Sequence, residues 1–312
     1  MIMKTLIHRL LLLSLLAAGF SSCKKDRNTE TDDSCAVPEY QVSASVDIDR
    51  PCALAVSASG LVAVTEYKQP YGSAGLTKLF ASYSDLLAGK PPLQVWQNVA
   101  AEALAFDRNE NLYVTETEAT ASIVIYRKTV QAGGISYQYL KRIQGGFNNP
   151  RGIAFDSRNR LYLADDGNDR LLRFDAPVLN DNFQIVAGVF GNPKGLAIAA
   201  DTIYITGYNR NQIYKYGLTA AGRFGAGEAI ALGKPVDVAI SGTTLAIASP
   251  DAASITLYDS RKVKTNLSDA PCTKSLTTSG ALYGLAFVST PRGLSLLSAQ
   301  HSRNKIVLYE PK

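Results

Sequence analysis

One hydrophobic phrase returns six times along the chain: an apolar residue, Ala, two mostly apolar or small residues, then a polar turn and a second apolar run. The phrases are Leu54-Ala55-Val56-Ser57, Leu104-Ala105-Phe106-Asp107, Ile153-Ala154-Phe155-Asp156, Leu196-Ala197-Ile198-Ala199, Val238-Ala239-Ile240-Ser241 and Leu285-Ala286-Phe287-Val288. Their alanines are 50, 49, 43, 42 and 47 residues apart, the period of four-stranded propeller blades and not the spacing of a helical solenoid. Each phrase predicts an inner strand, where Ala and Gly let crowded strands approach, followed by wider strands rich in Tyr, Ile and Val.

The fourth, outer strand of each repeat falls before the next phrase, as Leu93-Gln94-Val95-Trp96 and Tyr139-Leu140-Lys141-Arg142-Ile143 do. The sixth repeat runs out at Lys312 without one, while Tyr40 to Ile48 forms an orphan strand ahead of the first phrase. The fold class predicted is therefore all-β, a six-bladed β-propeller closed by the N-terminal strand pairing in the last blade, which removes the exposed edges.

Composition agrees with this reading. The 312 residues are 46% hydrophobic and only 19% charged, below the roughly 25% of average globular proteins. Two His, one of them His8 in the leader, exclude multi-His metal sites and paired His relays. Residues 1–22 read as a secretory signal, with Lys4 and Arg9 ahead of an apolar core from Leu10 to Ala18. Losing it lowers the formal charge from +5 to +3, which is no electrostatic footprint for nucleic acid.

Phe20-Ser21-Ser22-Cys23 resembles the lipobox of bacterial lipoproteins, with Phe20 where that motif usually has Leu. The resemblance implies lipidation of Cys23 and attachment to a membrane without a spanning helix. Residues 23–38 then form a polar tether, and 39–312 the propeller. The Lys24-Lys25-Asp26 start resembles Gram-negative lipoproteins delivered to the outer membrane or cell surface, facing periplasm or exterior.

The third repeat gives Pro150-Arg151-Gly152-Ile153-Ala154-Phe155-Asp156, then Leu161-Tyr162-Leu163-Ala164-Asp165-Asp166-Gly167-Asn168-Asp169-Arg170-Leu171. It closely resembles an NHL repeat, and weaker versions recur over about residues 40–312. NHL-type propellers mostly offer a rigid face to partners. The resemblance implies a protein-, peptide- or glycan-binding module without catalysis. The alternative is a calcium-dependent, lactonase-like hydrolase, although Pro51-Cys52-Ala53 stands where the first acidic ligand of such lactonases is expected. The related amidating lyases need several His ligands for zinc, which this sequence lacks.

Aligning the repeats on Asp165 brings Glu66, Glu116, Asp165 and Gln300 to one channel mouth, with His301 beside them. Such carboxylates suit calcium or a hydroxyl-rich ligand. In the NHL phrase, however, the acidic residue commonly satisfies backbone groups of its own turn. Tyr67, Tyr71 and Tyr208 are candidates to stack on a ligand. No nucleophile-elbow motif accompanies His301. Of the remaining cysteines, Cys35 and Cys272 can pair across the outer strands; Cys52 with Cys272, or three free thiols, are the alternatives left open.

Overall fold

Each phrase forms the innermost strand of a four-stranded antiparallel sheet, and the second apolar run folds back on it. The computed structural model describes residues 37–67, 74–117, 121–262 and 273–312. Cys23, Cys35, Cys272, Tyr71, the leader and most of the tether lie outside the described residues. The chain first forms β1 (Tyr40–Asp47). Blade one follows, with β2 (Pro51–Val56), β3 (Val62–Glu66), β4 (Ala74–Phe80), the short helix α1 (Tyr83–Leu87) and β5 (Gln94–Val99). Blade two is β6 (Ala101–Phe106), β7 (Leu112–Glu116), β8 (Ser122–Gln131) and β9 (Gly134–Ile143). Blade three is β10 (Pro150–Phe155), β11 (Leu161–Asp165), β12 (Arg170–Phe174) and β13 (Gln184–Gly188). Blade four is β14 (Pro193–Ala199), β15 (Thr202–Gly207), β16 (Gln212–Leu218) and β17 (Phe224–Ala231). Blade five is β18 (Asp237–Ser241), β19 (Thr244–Ser249), β20 (Ser254–Asp259) and β21 (Thr273–Thr277).

The last blade is built from both ends of this region. Its strands β22 (Leu282–Thr290), β23 (Gly293–Gln300) and β24 (Lys305–Pro311) are completed by β1, in the order β1-β24-β23-β22. The pairing runs antiparallel from Tyr40 opposite Pro311 to Asp47 opposite Lys305, as the strand count predicts. Beyond it, Ile48 N–H donates to Asn304 O at 2.9 Å. Tyr40 OH anchors the other end on Leu294 O at 2.9 Å.

Crowding at the centre explains the small residues. A Cβ placed on Gly152 would lie 2.4 Å from Lys194 O in the next blade, and one on Gly284 2.6 Å from Cys52 O. Farther out the blades grip each other through large side chains. Tyr113, Ile123, Leu161, Leu163 and Phe174 are fully buried between blades two and three. Each such side chain contributes about 1.5–3 kcal/mol of burial.

The turns after the phrases are held by their own polar residue. Asp107 Oδ1 accepts N–H bonds from Asn109 and Asn111, and Asp156 Oδ1 from Arg158 and Arg160. Glu110 crosses to the neighbouring blade, where its Oε2 accepts the Ser59 hydroxyl at 2.8 Å. Burial alone would raise its carboxyl, but Lys128 and Ser59 outweigh that and hold it at about 2.

Candidate functional site

The inner strands carry a shared irregularity near their first residues. Register shifts fall between Pro51 and Leu54, Ala101 and Ala103, Pro150 and Ile153, Pro193 and Leu196, and Leu282 and Gly284. Bulges of this kind re-aim side chains. The residues released are Cys52, Glu102, Arg151, Lys194 and Tyr283, and all five line one cavity together with Tyr67 and His301. In three blades a buried Thr on the second strand supports the bulge. Thr65 Oγ1 accepts from Ala53 N–H at 2.9 Å, Thr115 Oγ1 from Ala103 N–H at 2.9 Å, and Thr206 Oγ1 from Gly195 N–H at 2.7 Å.

The cavity holds about 260 Å³. Below it a more enclosed space of about 120 Å³ shares the Glu102, Arg151, Lys194 and Tyr283 walls and continues down the channel past Leu54, Ile153 and Asp237. The upper cavity is just under the usual range for small-molecule sites, so it suits a small ligand.

Its charges are arranged as a fork and one lysine, with a second lysine beside them on the Tyr208 ring. Arg151 NH1 donates to Glu102 Oε2 and its Nε to Asp166 Oδ2, both at 2.9 Å. Lys194 Nζ lies over the Tyr208 ring, 3.6 Å from its centre, and Lys234 Nζ lies 4.6 Å from the same centre. Burial, with the neighbouring Arg151 charge, lowers the Lys194 ammonium from its ordinary range.

On the opposite side, His301 begins a single helical turn after β23. Its Nδ1 lies 3.4 Å from Cys52 Sγ, and the Tyr283 and Tyr67 rings stand edge-on to the imidazole at 5.0 and 6.2 Å. Burial lowers the His301 pKa. Burial, and then the Glu102 charge, push the Cys52 thiol up. Cys52 is a free, buried thiol.

Asp237 occupies the position that is Gly or Ala in the other five inner strands. Its Oδ2 accepts the Leu285 N–H at 2.8 Å across the seam. It faces the enclosed channel space, and burial raises its carboxyl to about 7 against the backbone bonds from Leu285 and Val238. The folded protein therefore keeps this proton where the unfolded chain has lost it. The contribution of Asp237 to stability is complete below the ordinary aspartate range and is lost as pH rises through about 7. Relative to Asp237→Asn, the wild type is expected to lose up to about 4 kcal/mol between about pH 4 and pH 8. Denaturant titrations of both proteins across that range check this, and a constant difference between them would refute it.

The sequence alignment of carboxylates at one mouth needs correcting. His301 and Tyr67 do come to this cavity and Tyr208 packs under its Lys194, but Glu66, Glu116, Asp165 and Gln300 do not converge there. Each is turned into its own blade and almost fully buried. Glu66 pairs with Lys78. Glu116 pairs with Arg142 and accepts from Asn98 Nδ2 at 2.9 Å. Asp165 accepts from Arg170 Nε at 2.7 Å and from Asn148 N–H at 2.7 Å. Gln300 Nε2 donates to Tyr309 OH at 3.0 Å. Among the described residues, no group of three or more His, Cys, Asp or Glu side chains is placed to hold a metal ion. The residues missed, Glu102, Arg151, Lys194 and Tyr283, stand three positions before the phrase alanines, where a column of dissimilar side chains was available to read.

No protein-family model and no curated protein matches the chain in sequence. Solved structures match in fold. The virginiamycin B lyase of Staphylococcus aureus superposes with a TM-score of 0.56 at 13% identity, over 88% of this chain and 100% of that one. A streptogramin B lyase gives 0.53 at 13%, over 88% and 98%. A chain of a nidogen/laminin complex gives 0.57 at 18%, over 75% and 83%. The architecture is shared with a lyase and with a protein complex alike, so the fold by itself selects no activity.

Proposed function

We propose that the propeller is a non-catalytic module that binds a small ligand at the channel mouth, held outside the cytoplasm by a lipid on Cys23. The observation that carries the binding reading is the mouth cavity itself, where five blades each send a bulge residue to one space on rigid strands. The NHL-like phrase supports a binding role, since it makes rigid walls and supplies no catalytic group of its own. Cys52 and His301 are the nucleophile and base that face the cavity, and burial together with Glu102 keeps the thiol protonated, which favours recognition over covalent chemistry. A calcium-dependent hydrolase is less well supported, because the channel carboxylates it needs are engaged inside their own blades.

The test is a thermal-shift screen of small acids, amides, amines and sugars, with hits titrated on wild type and on Tyr283→Ala. The expected hits bind with one-to-one stoichiometry and weaken at least about tenfold in the variant, whose unfolding midpoint stays close to wild type. Hits indifferent to Tyr283, or turnover of any of them, would overturn the reading.

The anchor rests on Phe20-Ser21-Ser22-Cys23, the small-residue exit before a Cys. The charged segment after it supports attachment to an outer membrane or cell surface. In Gram-negative cells Cys23→Ala is expected to move the protein from the membrane fraction to the soluble one; an unchanged distribution would remove lipidation.

A further inference from the structure

The charges at the mouth do not balance among themselves. Glu102 and Asp166 are its carboxylates, and both are held by the one Arg151 guanidinium. Lys194 and Lys234 are left over. Neither has a carboxylate within ion-pair distance among the described residues; both lie over the Tyr208 ring instead. Lys78 and Lys128, partly buried as Lys194 is, each grip a glutamate. A partly buried ammonium without a counter-ion carries a desolvation cost that a ring face offsets only in part. Lys194 also forms a wall of both the upper cavity and the channel space beneath it.

Three cations against two carboxylates, with the Asp237 carboxyl of the space beneath holding its proton below about pH 7, leave a single positive charge in excess, which matches a monoanion better than a dianion. Apart from the Cys52 thiol, the remaining lining is aromatic: Tyr283, 39% exposed, with Tyr67 and the His301 imidazole beside it. Arg151 is already neutralised by Glu102 and Asp166 and serves as a wall more than as an open anchor.

We infer that the channel mouth takes a small organic monocarboxylate with an aromatic or alicyclic body, its carboxylate on Lys194 with Lys234 as the second cation, and its ring against Tyr283 and His301. This rests on the binding reading above and names its ligand class. The cavity of about 260 Å³ limits the ligand to about one ring with a short acid arm.

The experiment is calorimetric titration of the full chain with benzoate and phenylacetate, and with benzamide and phenylacetamide, which keep the shape and remove the charge. Wild type, Lys194→Met and Lys234→Met are compared, with unfolding midpoints as the fold control. The acids are expected to bind at least about tenfold more tightly than their amides, and Lys194→Met to remove that preference. Lys234→Met, at the more remote lysine, is expected to give a smaller loss in the same direction. Equal binding of acid and amide, an unaltered preference in Lys194→Met, or no acid binding tighter than about 10 mM each overturns the monocarboxylate. If amides, amines or sugars bind with Tyr283 sensitivity while acids do not, only the ligand class falls. If no class of compound does, the binding reading falls with it.

Discussion

Deleting residues 1–48 is expected to abolish the ring, whereas deleting residues 1–36 leaves it intact. The longer deletion removes β1, the fourth strand of the last blade, and with it the whole ladder against β24. It also removes Val37, Tyr40 and Ile48, all buried against that blade or its neighbours. Those side chains represent about 5 kcal/mol of burial or more. The total stability of a folded domain is only about 5–15 kcal/mol, and the deletion further leaves β24 as an open edge ready to pair with other chains. Circular dichroism and size-exclusion chromatography check the outcome. A monomeric, cooperatively unfolding protein after the longer deletion would mean that the closure contributes little.

The second large effect is at Arg151. Arg151→Met is expected to destabilise the protein by about 3 kcal/mol or more, because it strands two carboxylates that have little exposure of their own, Glu102 and Asp166. Removing the cation and leaving the anions is the costly direction. Adding Glu102→Gln and Asp166→Asn to the same protein is therefore expected to recover most of the loss, since neutral partners need no counter-ion. Urea denaturation at neutral pH of the single and triple variants measures this. A loss below about 1 kcal/mol in the single variant, or no recovery in the triple, would show that the fork is not what holds the mouth together.

Much of the fold was legible because a closed ring of repeats leaves few alternatives. The spacing of Ala55, Ala105, Ala154, Ala197, Ala239 and Ala286 set the blade count, and a sixth repeat lacking an outer strand required Tyr40–Ile48 to supply it. Details of length followed less well. The outer strand read at Tyr139–Ile143 begins at Gly134, because β8 and β9 extend together as a long hairpin.

The site was harder to read for a geometric reason. Glu66, Glu116 and Asp165 share a column in the alignment, yet strand pleat alone does not tell which side of the sheet a strand-end residue serves. Lys78, Arg142 and Arg170 on outer strands of the same blades draw these carboxylates inward. What faces the cavity is set by the bulges after Pro51, Ala101, Pro150, Pro193 and Leu282, and a bulge reverses the in-out alternation that hydrophobic patterns reveal. His301 and Tyr67 were found because they follow the second strands directly. Lys234 and Tyr208 stand in the connections after the fourth and second strands of one blade, far apart in the repeat, and meet only once that blade has formed.

The junction of β1 with β24 also has a consequence for the order of events during synthesis. Tyr40 leaves the ribosome long before Pro311, its partner in the ladder, has been made. Strands β2 to β21 can assemble blade by blade as they emerge, from contacts that are local in the sequence. The first strand must wait beside them, and the annulus can shut only when β24 arrives. Nascent protein stalled short of β24 should then resemble an unfastened ring, protease-sensitive at Tyr40–Asp47 and prone to capture by chaperones, until β24 converts it in one step to the resistant form.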